Sequence, residues 1–302
     1  MNWQKYGLIF APQGQMQWLV SHAAVPTALC IGGDRYRIYF SGRDHFNRSQ
    51  TGYFDIDLTI PTEILIQSPE PCLQYGQPGT FDDSGAMSAW IIKSADQMYL
   101  YYIGWNTGTT VPFRNSIGLA LSRDGGQTFQ KHSRGPILDR TTDDPFFVAS
   151  PCVLIENSLW RMWYLSCTGW EPELNGTLRH NYLIKYAESN DGIHWERTGI
   201  TCIGFKNKNE YAISRPCVVN QNGKYLMWYS YRGSTYRIGY AESPDGIYWE
   251  RKDEEVGIDV SESGWDSEMI EYPFVFIHDS LTYMLYNGNS YGKTGIGLAL
   301  LQ

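Results

Sequence analysis

The chain has 302 residues, of which 42% are hydrophobic and 15% aromatic, so it can bury a large core and is not disordered. Its formal net charge of −8 argues against a nucleic-acid partner or an anionic membrane surface. No stretch approaches the about 18 apolar residues of a membrane span, no signal peptide is visible, and the six cysteines show no CxxC spacing. We therefore expect a cytoplasmic protein with free thiols.

One unit recurs about every 60 residues, a period typical of propeller blades. Each copy begins with a short apolar strand that contains an anchor position, and the anchors are Pro26, Ala89, Pro151, Pro216 and Pro273. The second strand of each copy is rich in aromatic residues, and we align Tyr39, Tyr102, Tyr164, Tyr229 and Tyr286 as equivalent positions within it. A third strand with alternating polarity follows. No long helical periodicity interrupts these units.

The N-terminal segment resembles the strand that the last copy lacks. Three copies close with a Ser-x-Asp-Gly turn and an aromatic residue, at 122–129, 189–195 and 243–249. The fifth copy lacks a fourth strand, whereas residues 3–10 resemble the fourth strand of the third copy. We predict one all-β domain over 1–302, a five-bladed β-propeller whose ring is closed by the N-terminal strand. The predicted blades are 20–74, 83–138, 145–203, 211–256, and 268–301 together with 3–10.

Carboxylates recur where the first strands begin, which in a propeller surround one end of the central channel. Cleavage of a glycosidic bond uses a carboxylic acid to protonate the leaving oxygen and a second carboxylate as base or nucleophile. We predict Asp83 as the base or water-orienting group and Glu271 as the acid, because partial burial would raise the pKa of Glu271. The reserve candidates are Asp82, Glu210 and Glu268. In the alternative, Asp82 and Asp83 cap a loop and Glu268 faces solvent.

The predicted ligand-binding residues lie at the same rim. They are His22, Arg43, Asp44, Trp105, Trp170, Glu171, Arg215, Arg232, Tyr272, Asn287 and Asn289. An arginine that points into a channel needs an anion, so Arg215 either pairs with Glu271 or Asp83 or helps the other basic residues to hold a phosphate, a carboxylated sugar or a sugar nucleotide. For His22 three roles stay open: a core residue, a proton shuttle and a donor to a sugar hydroxyl.

The anchored first strand, the aromatic second strand, the AES third strand and the S-x-D-G-x-x-W turn together resemble the five-bladed propeller superfamily of glycoside hydrolase families 43, 32, 68 and 130. The resemblance covers essentially the whole chain and implies a glycosidase-type fold. In families 43 and 32 an acidic residue lies beside the first-blade proline, and this chain has Val25 there instead. The turn at 122–129 also resembles the Ser-x-Asp-x-Gly-x-Thr-aromatic turn of sialidases, which have six blades.

The sequence thus favours a carbohydrate-active enzyme that cleaves a glycosidic bond by hydrolysis or phosphorolysis. Family 130, which the chain resembles, includes phosphorylases that bind phosphate through basic residues. Two alternatives remain: a glycosyltransferase that uses an activated sugar donor, and a non-catalytic glycan-binding propeller. No metal signature and no cofactor are predicted, although a single ion in the central channel stays open. The loops at 143–147 and 169–181 are predicted to form part of the pocket wall.

Overall fold

The computed structural model describes residues 1–14, 16–173 and 176–302. Apart from a 3₁₀ turn at Asp253–Glu255 and a four-residue helix α1 (Asn289–Gly292), the regular structure of these residues is β-strand. This confirms the prediction of an all-β protein. In the described ranges, no helix has the length and apolar character that crossing a membrane requires.

The strands pair as consecutive antiparallel meanders. The N-terminal strand is β1 (Trp3–Phe10). The first meander consists of β2 (Ser21–Gly32), β3 (Arg35–Arg43), β4 (Ser49–Asp57) and β5 (Ile64–Gln67). The second consists of β6 (Gly85–Ser94), β7 (Gln97–Thr107), β8 (Phe113–Ser122) and β9 (Gln130–Lys131).

The C-terminal half continues the same pattern. The third meander consists of β10 (Val148–Glu156), β11 (Leu159–Pro172), β12 (Leu178–Ser189) and β13 (Glu196–Ile203). The fourth consists of β14 (Ala212–Gln221), β15 (Lys224–Arg232), β16 (Tyr236–Ser243) and β17 (Glu250–Arg251). The last consists of β18 (Glu271–His278), β19 (Leu281–Asn287) and β20 (Ile296–Leu301), to which β1 adds in the order β1-β20-β19-β18.

The first strands of the meanders lie next to one another. β2 contacts β6, β6 contacts β10, β10 contacts β14, β14 contacts β18, and β18 contacts β2. The aromatic second strands fill the space between neighbouring sheets, and Trp163, Trp228 and Tyr229 are almost completely buried there. The first strands therefore lie side by side along a common axis, with the core between the sheets.

A backbone irregularity recurs in these first strands. The strand register shifts around each anchor. The residue before the anchor has a positive φ in four copies, at Val25, Ser150, Arg215 and Tyr272. Left-handed backbone is rare for residues other than glycine and is strained for a β-branched valine. The bulge re-aims these side chains, and Val25, Ser150 and Tyr272 line a pocket at the end of the axis.

The observed register corrects one alignment made from sequence. Thr27 pairs with Tyr39, and the equivalent Trp90 pairs with Tyr101, so Tyr39 corresponds to Tyr101 and not to Tyr102. A register shift between Cys30 and Gly32 adds one residue to this hairpin. Counting the same number of residues from each anchor therefore reaches a position in the first copy that is one residue too early. All six cysteines are free, as expected, and Cys30 is the one that is exposed.

Candidate functional site

A pocket of about 590 Å³ opens where the first strands begin and the second strands end. Its wall is largely apolar and aromatic, and Met87, Ile103, Phe113, Phe147 and Leu165 contribute to it. Such a volume and lining are typical of a small-molecule site. Among the described residues, no Asp or Glu lines this wall, whereas Arg43, Arg48 and Arg232 do.

Glu271 lies directly behind the wall. Its side chain is fully buried, and neither carboxylate oxygen has a hydrogen-bond partner among the described residues. Its charge interacts with Tyr182, Tyr236 and Tyr272, all of which line the pocket. Burial raises the pKa of Glu271 well above its usual range, and nearby Arg232 and the Tyr272 hydroxyl oppose this only in part. The protonated form of Glu271 is therefore favoured to higher pH than in a solvent-exposed glutamate.

The tyrosines around Glu271 form a polar cluster within the apolar wall. The hydroxyls of Tyr182 and Tyr236 are hydrogen-bonded to each other. Burial raises the pKa of both tyrosines, and that of Tyr272, well above the usual value, so all three hydroxyls keep their protons. Protonated hydroxyls can donate hydrogen bonds to a ligand oxygen.

Arg232 lies within a cage of aromatic rings. Its guanidinium carbon is 5.4 Å from the ring centroids of Tyr211 and Tyr236 and 5.9 Å from that of Tyr291. One guanidinium nitrogen donates to the Tyr291 hydroxyl at 2.8 Å, while Nε is buried without a partner. His180 stacks on Tyr182 with centroids 4.7 Å apart, and burial, followed by Arg232, lowers the pKa of His180 to about 4.

Of the predicted ligand-binding residues, four line the pocket directly: Arg43, Trp105, Arg232 and Tyr272. Trp170 packs behind the wall, with ring centroids 5.3 Å from Phe113 and 5.8 Å from Phe147. Asp44 holds the neighbouring loop, because its carboxylate pairs with Arg48 at 2.8 Å. His22 bonds to Ser21, and burial, followed by Arg43 and Lys293, lowers the pKa of His22 to about 4.

Arg215 is fully buried, and no carboxylate contacts it among the described residues. Its guanidinium donates to the backbone carbonyls of Pro26 and Ala89, on two other first strands, and lies near the rings of Trp90 and Phe274. Burial lowers its pKa to about 10, so Arg215 stays charged at neutral pH. It ties three first strands together, and neither predicted pairing, with Glu271 or Asp83, is formed.

The remaining predicted binding residues make contacts within the protein. Glu171 is exposed and accepts hydrogen bonds from Arg179 and Asn181. Asn287 links the last sheet to the first through Ala23 and Val25. Asn289 accepts from the backbone of residues 268 and 269.

Three predicted carboxylates have protein partners and do not line the pocket wall themselves. Asp82 is buried against Lys131 at 2.5 Å and Tyr102 at 3.0 Å. Glu210 accepts from both terminal nitrogens of Arg251. Asp83 accepts from the Gly79 backbone and the Ser84 hydroxyl and holds a turn. Glu268 is exposed. Among these candidates only Glu271 adjoins the pocket as a carboxyl group without a partner.

The sequence analysis did not single out several pocket residues. Tyr182 and Tyr236 occupy equivalent positions in the third strands of two successive copies, each four residues before the Tyr-Ala-Glu-Ser sequence, so alignment of those strands was a usable signal. Tyr291 follows β19 in a turn where it and Ser290 have positive φ, and no repeat predicts it. Phe147 lies in the first loop expected to form the wall. His180 lies in the second predicted segment, 169–181, but there β11 extends to Pro172 and β12 begins at Leu178, so His180 belongs to a strand. Residues 174 and 175 of the second loop lie outside the described residues.

One group of side chains in the described ranges could share a metal ion: Asp34, His278 and Asp279. It lies at the hairpins that connect β2 to β3 and β18 to β19 and is not part of the pocket lining. The ion in the central channel stays a prediction.

No protein-family model matches the sequence. Two curated relatives align with it over the full length of both proteins: the uncharacterized protein MT1551 of Mycobacterium tuberculosis (strain CDC 1551 / Oshkosh), 45% identical over 302 residues, and the uncharacterized protein Rv1502 of strain H37Rv, 44% identical. This protein belongs to the family of these two relatives. The similarity to both relatives extends over all 302 residues and is not confined to one segment.

Solved structures of low sequence identity share the fold. A glycoside hydrolase superposes with a TM-score of 0.78 at 19% identity, covering 99% of this protein and 91% of that one. A thermostable family-43 glycoside hydrolase gives 0.67 at 17% identity, covering 92% of this protein and 88% of that one. An α-L-arabinofuranosidase of Podospora anserina gives 0.67 at 10% identity, covering 99% of this protein and 96% of that one. This member of the MT1551/Rv1502 family thus shares the fold of these glycoside hydrolases.

Proposed function

We propose that the protein is a five-bladed propeller, closed by β1, that cleaves a glycosidic bond in the pocket described above. The closed ring is supported by the contacts of the five first strands, including β18 with β2, and by the pairing of β1 with β20. The ring would make residues 1–302 one domain, because each sheet then buries both faces against its neighbours. Fold alone does not decide the activity, so the reaction is argued from the site.

The observation that carries the reaction is the buried, unpartnered Glu271 beside an aromatic pocket. An unpaired buried carboxyl group is costly, and raised pKa values of this kind cluster at functional sites. A carboxylic acid that stays protonated at neutral pH can donate its proton to a leaving oxygen. Trp105 and Tyr272 are half-buried aromatic residues of the pocket lining, and such rings can stack against a sugar ring.

In the proposed reaction, Glu271 gives its proton to the glycosidic oxygen as the bond from that oxygen to the anomeric carbon breaks. An oxygen nucleophile forms the new bond to the anomeric carbon and loses its own proton, which restores the acid form of Glu271. Glu271 has no exposed surface, so contact with the substrate requires a side-chain movement among the surrounding tyrosines.

The identity of the nucleophile separates hydrolysis from phosphorolysis. Hydrolysis needs a second carboxylate to activate water or to form a glycosyl intermediate. Asp83 remains the proposed base, but it would first have to release Gly79 and Ser84. Phosphate carries its own negative charge and needs binding by cations instead, which the arginines of the wall would supply. This observation favours phosphorolysis as the variant to test beside hydrolysis.

The test is product release from a broad glycan panel, with and without phosphate, for the wild type and Glu271→Gln. We expect turnover to fall about 10²–10⁴-fold in Glu271→Gln, the usual contribution of a general acid, while the fold is retained. Glu262→Gln serves as the matched control, since Glu262 is exposed and does not line the pocket. A wild-type rate in Glu271→Gln would contradict the assignment. Turnover only with phosphate would establish phosphorolysis.

A further inference from the structure

The charge of the pocket is opposite to that of the whole molecule. The protein carries a formal net charge of −8, yet the titratable side chains of the wall are arginine, histidine and tyrosine. No Asp or Glu of the described residues lines the wall, the low pKa of His180 makes it neutral, the tyrosines are neutral, and burial raises the pKa of Glu271 behind the wall. The electrostatic potential inside the pocket is therefore positive, although the protein as a whole is acidic.

Two of the three arginines lack a counter-ion. Arg48 pairs with Asp44, but no carboxylate lies within 4 Å of Arg43 or Arg232 among the described residues. Arg43 donates to Asn47 at 2.9 Å, and Arg232 donates to the Tyr291 hydroxyl. Neither bond neutralises the charge, and the Nε atom of Arg232 is buried without any partner.

Both arginines act on the same part of the wall. Arg43 interacts electrostatically with Tyr272, and so does Tyr291, the hydrogen-bond partner of Arg232. A guanidinium that has lost water without gaining a carboxylate is unfavourable, and burial indeed lowers the pKa of Arg43. A carboxylate or phosphate bound between them would restore charge-assisted hydrogen bonds at about 2.7–2.9 Å and match the guanidinium geometry.

We propose that Arg43 and Arg232 form an oxyanion-binding wall, so that the sugar ligand of this pocket is bound together with a carboxylate or phosphate group. The oxyanion comes either from a substituent on the sugar or from free phosphate that binds beside it. This inference rests on the proposed carbohydrate pocket, but it concerns binding and does not depend on turnover. It names the substrate class as an anionic sugar or a neutral sugar accompanied by phosphate.

The test measures equilibrium binding of glucose, glucuronate, glucose 1-phosphate and inorganic phosphate by calorimetry, at low and high salt. We expect one or more of the oxyanions to bind at least about tenfold more tightly than glucose alone, with an affinity that falls as salt increases. Tight binding of glucuronate or glucose 1-phosphate assigns the group to the sugar. Binding of phosphate alone, with glucose binding only in its presence, assigns it to free phosphate.

The variants identify the residues. Arg43→Met and Arg232→Met should each abolish the preference for the oxyanion, and Arg232→Lys should retain part of it because the charge remains. The exposed Arg134→Met is the matched control and should bind as the wild type does; circular dichroism confirms folding of every variant. Equal affinity for glucose and the oxyanions, or an unchanged preference in both methionine variants, would overturn the inference.

The outcome is separable from that of the proposed reaction. If Glu271→Gln loses turnover but keeps oxyanion binding, both proposals hold. If turnover of neutral glycans depends on Glu271 without any oxyanion, the oxyanion wall alone is wrong. If oxyanions bind and depend on the arginines while Glu271→Gln has full activity, the assignment of Glu271 is wrong and the oxyanion wall stands.

Discussion

Glu271 and Arg215 are both ionisable residues with no exposed surface, but they differ in their hydrogen-bond partners. Arg215 donates hydrogen bonds to two carbonyls of other first strands and lies near two aromatic rings, so it holds three first strands together. Glu271 has no partner for either oxygen among the described residues. A buried carboxyl group without partners lowers the stability of the folded state. Natural proteins retain such a group mainly where it has a function.

The burial of Glu271 makes stability depend on pH in a defined direction. The unfolded protein releases this proton above about pH 4.3, whereas the folded protein keeps it because the pKa of Glu271 is raised. Its contribution to stability is therefore complete at low pH and is lost as pH rises towards the folded-state pKa, by up to about 1.4 kcal/mol per pH unit.

Glu271→Gln removes this titration while keeping the shape of the side chain. We expect the free energy of unfolding of the variant, relative to that of the wild type, to increase as pH rises from 4 to 8. Urea unfolding at five pH values measures it. A difference that stays constant over this range would show that Glu271 titrates in the folded protein as it does in the unfolded state.

At the scale of elements, each Ser-x-Asp-Gly turn is held by an aromatic residue of the preceding sheet. Tyr39 donates to the Gly126 carbonyl at 2.8 Å, Tyr101 to the Gly192 carbonyl at 2.8 Å, and Trp163 to the Gly246 carbonyl at 2.7 Å. The turns thereby connect neighbouring sheets outside the first strands. The aromatic residue that closes each turn, Phe129, Trp195 or Trp249, packs edge-on against the same aromatic residue of the preceding sheet.

The three turns differ in how many donors reach the carbonyl. The Gly192 carbonyl also accepts from Trp195 at 3.2 Å, while the Gly126 carbonyl has Tyr39 as its one side-chain donor among the described residues. Tyr39→Phe should therefore lower the free energy of unfolding by about 1–3 kcal/mol, and Tyr101→Phe by less, because a donor remains. Thermal and urea unfolding compare them, with Tyr248→Phe, 71% exposed, as the control. Equal losses in Tyr39→Phe and Tyr101→Phe would contradict this account.

Across the whole molecule, the strand β1 connects the two ends of the sequence. It pairs with β20 from Trp3 to Phe10, and Lys5 contacts Asp266 at 2.7 Å. Phe10 packs on Phe40 and Phe54 of the first sheet, with centroids 4.8 and 4.5 Å away. Without β1, β20 would be an open edge and the seam between the last and first sheets would lose its apolar contacts.

Deletion of residues 1–10 should therefore cost far more than the loss of an ordinary terminal segment. We expect the truncated protein to aggregate or to lose cooperative unfolding, and a synthetic peptide of residues 1–12 to restore both. The same peptide with Trp3→Ala and Phe10→Ala should not. Size-exclusion chromatography and circular dichroism measure this. A truncated protein that unfolds with the Tm of the full-length protein would refute the role of β1.

The sequence by itself determined the repeat, the all-β class and the turns. These follow from the alternation of polar and apolar residues, the anchor positions and the turn residues, all of which are present within each copy. It also placed Glu271 beside the candidate site. Only the tertiary structure decided which polar residues have partners: Asp82 and Glu210 meet cations on the fourth strands of their own sheets, whereas Glu271 meets none among the described residues. The tertiary structure likewise showed one extra residue between Cys30 and Gly32, because of which Tyr39 is not equivalent to the tyrosines that lie 13 residues after the other anchors. Pairing between strands and contacts between sheets join residues far apart in sequence, and a local pattern does not contain them.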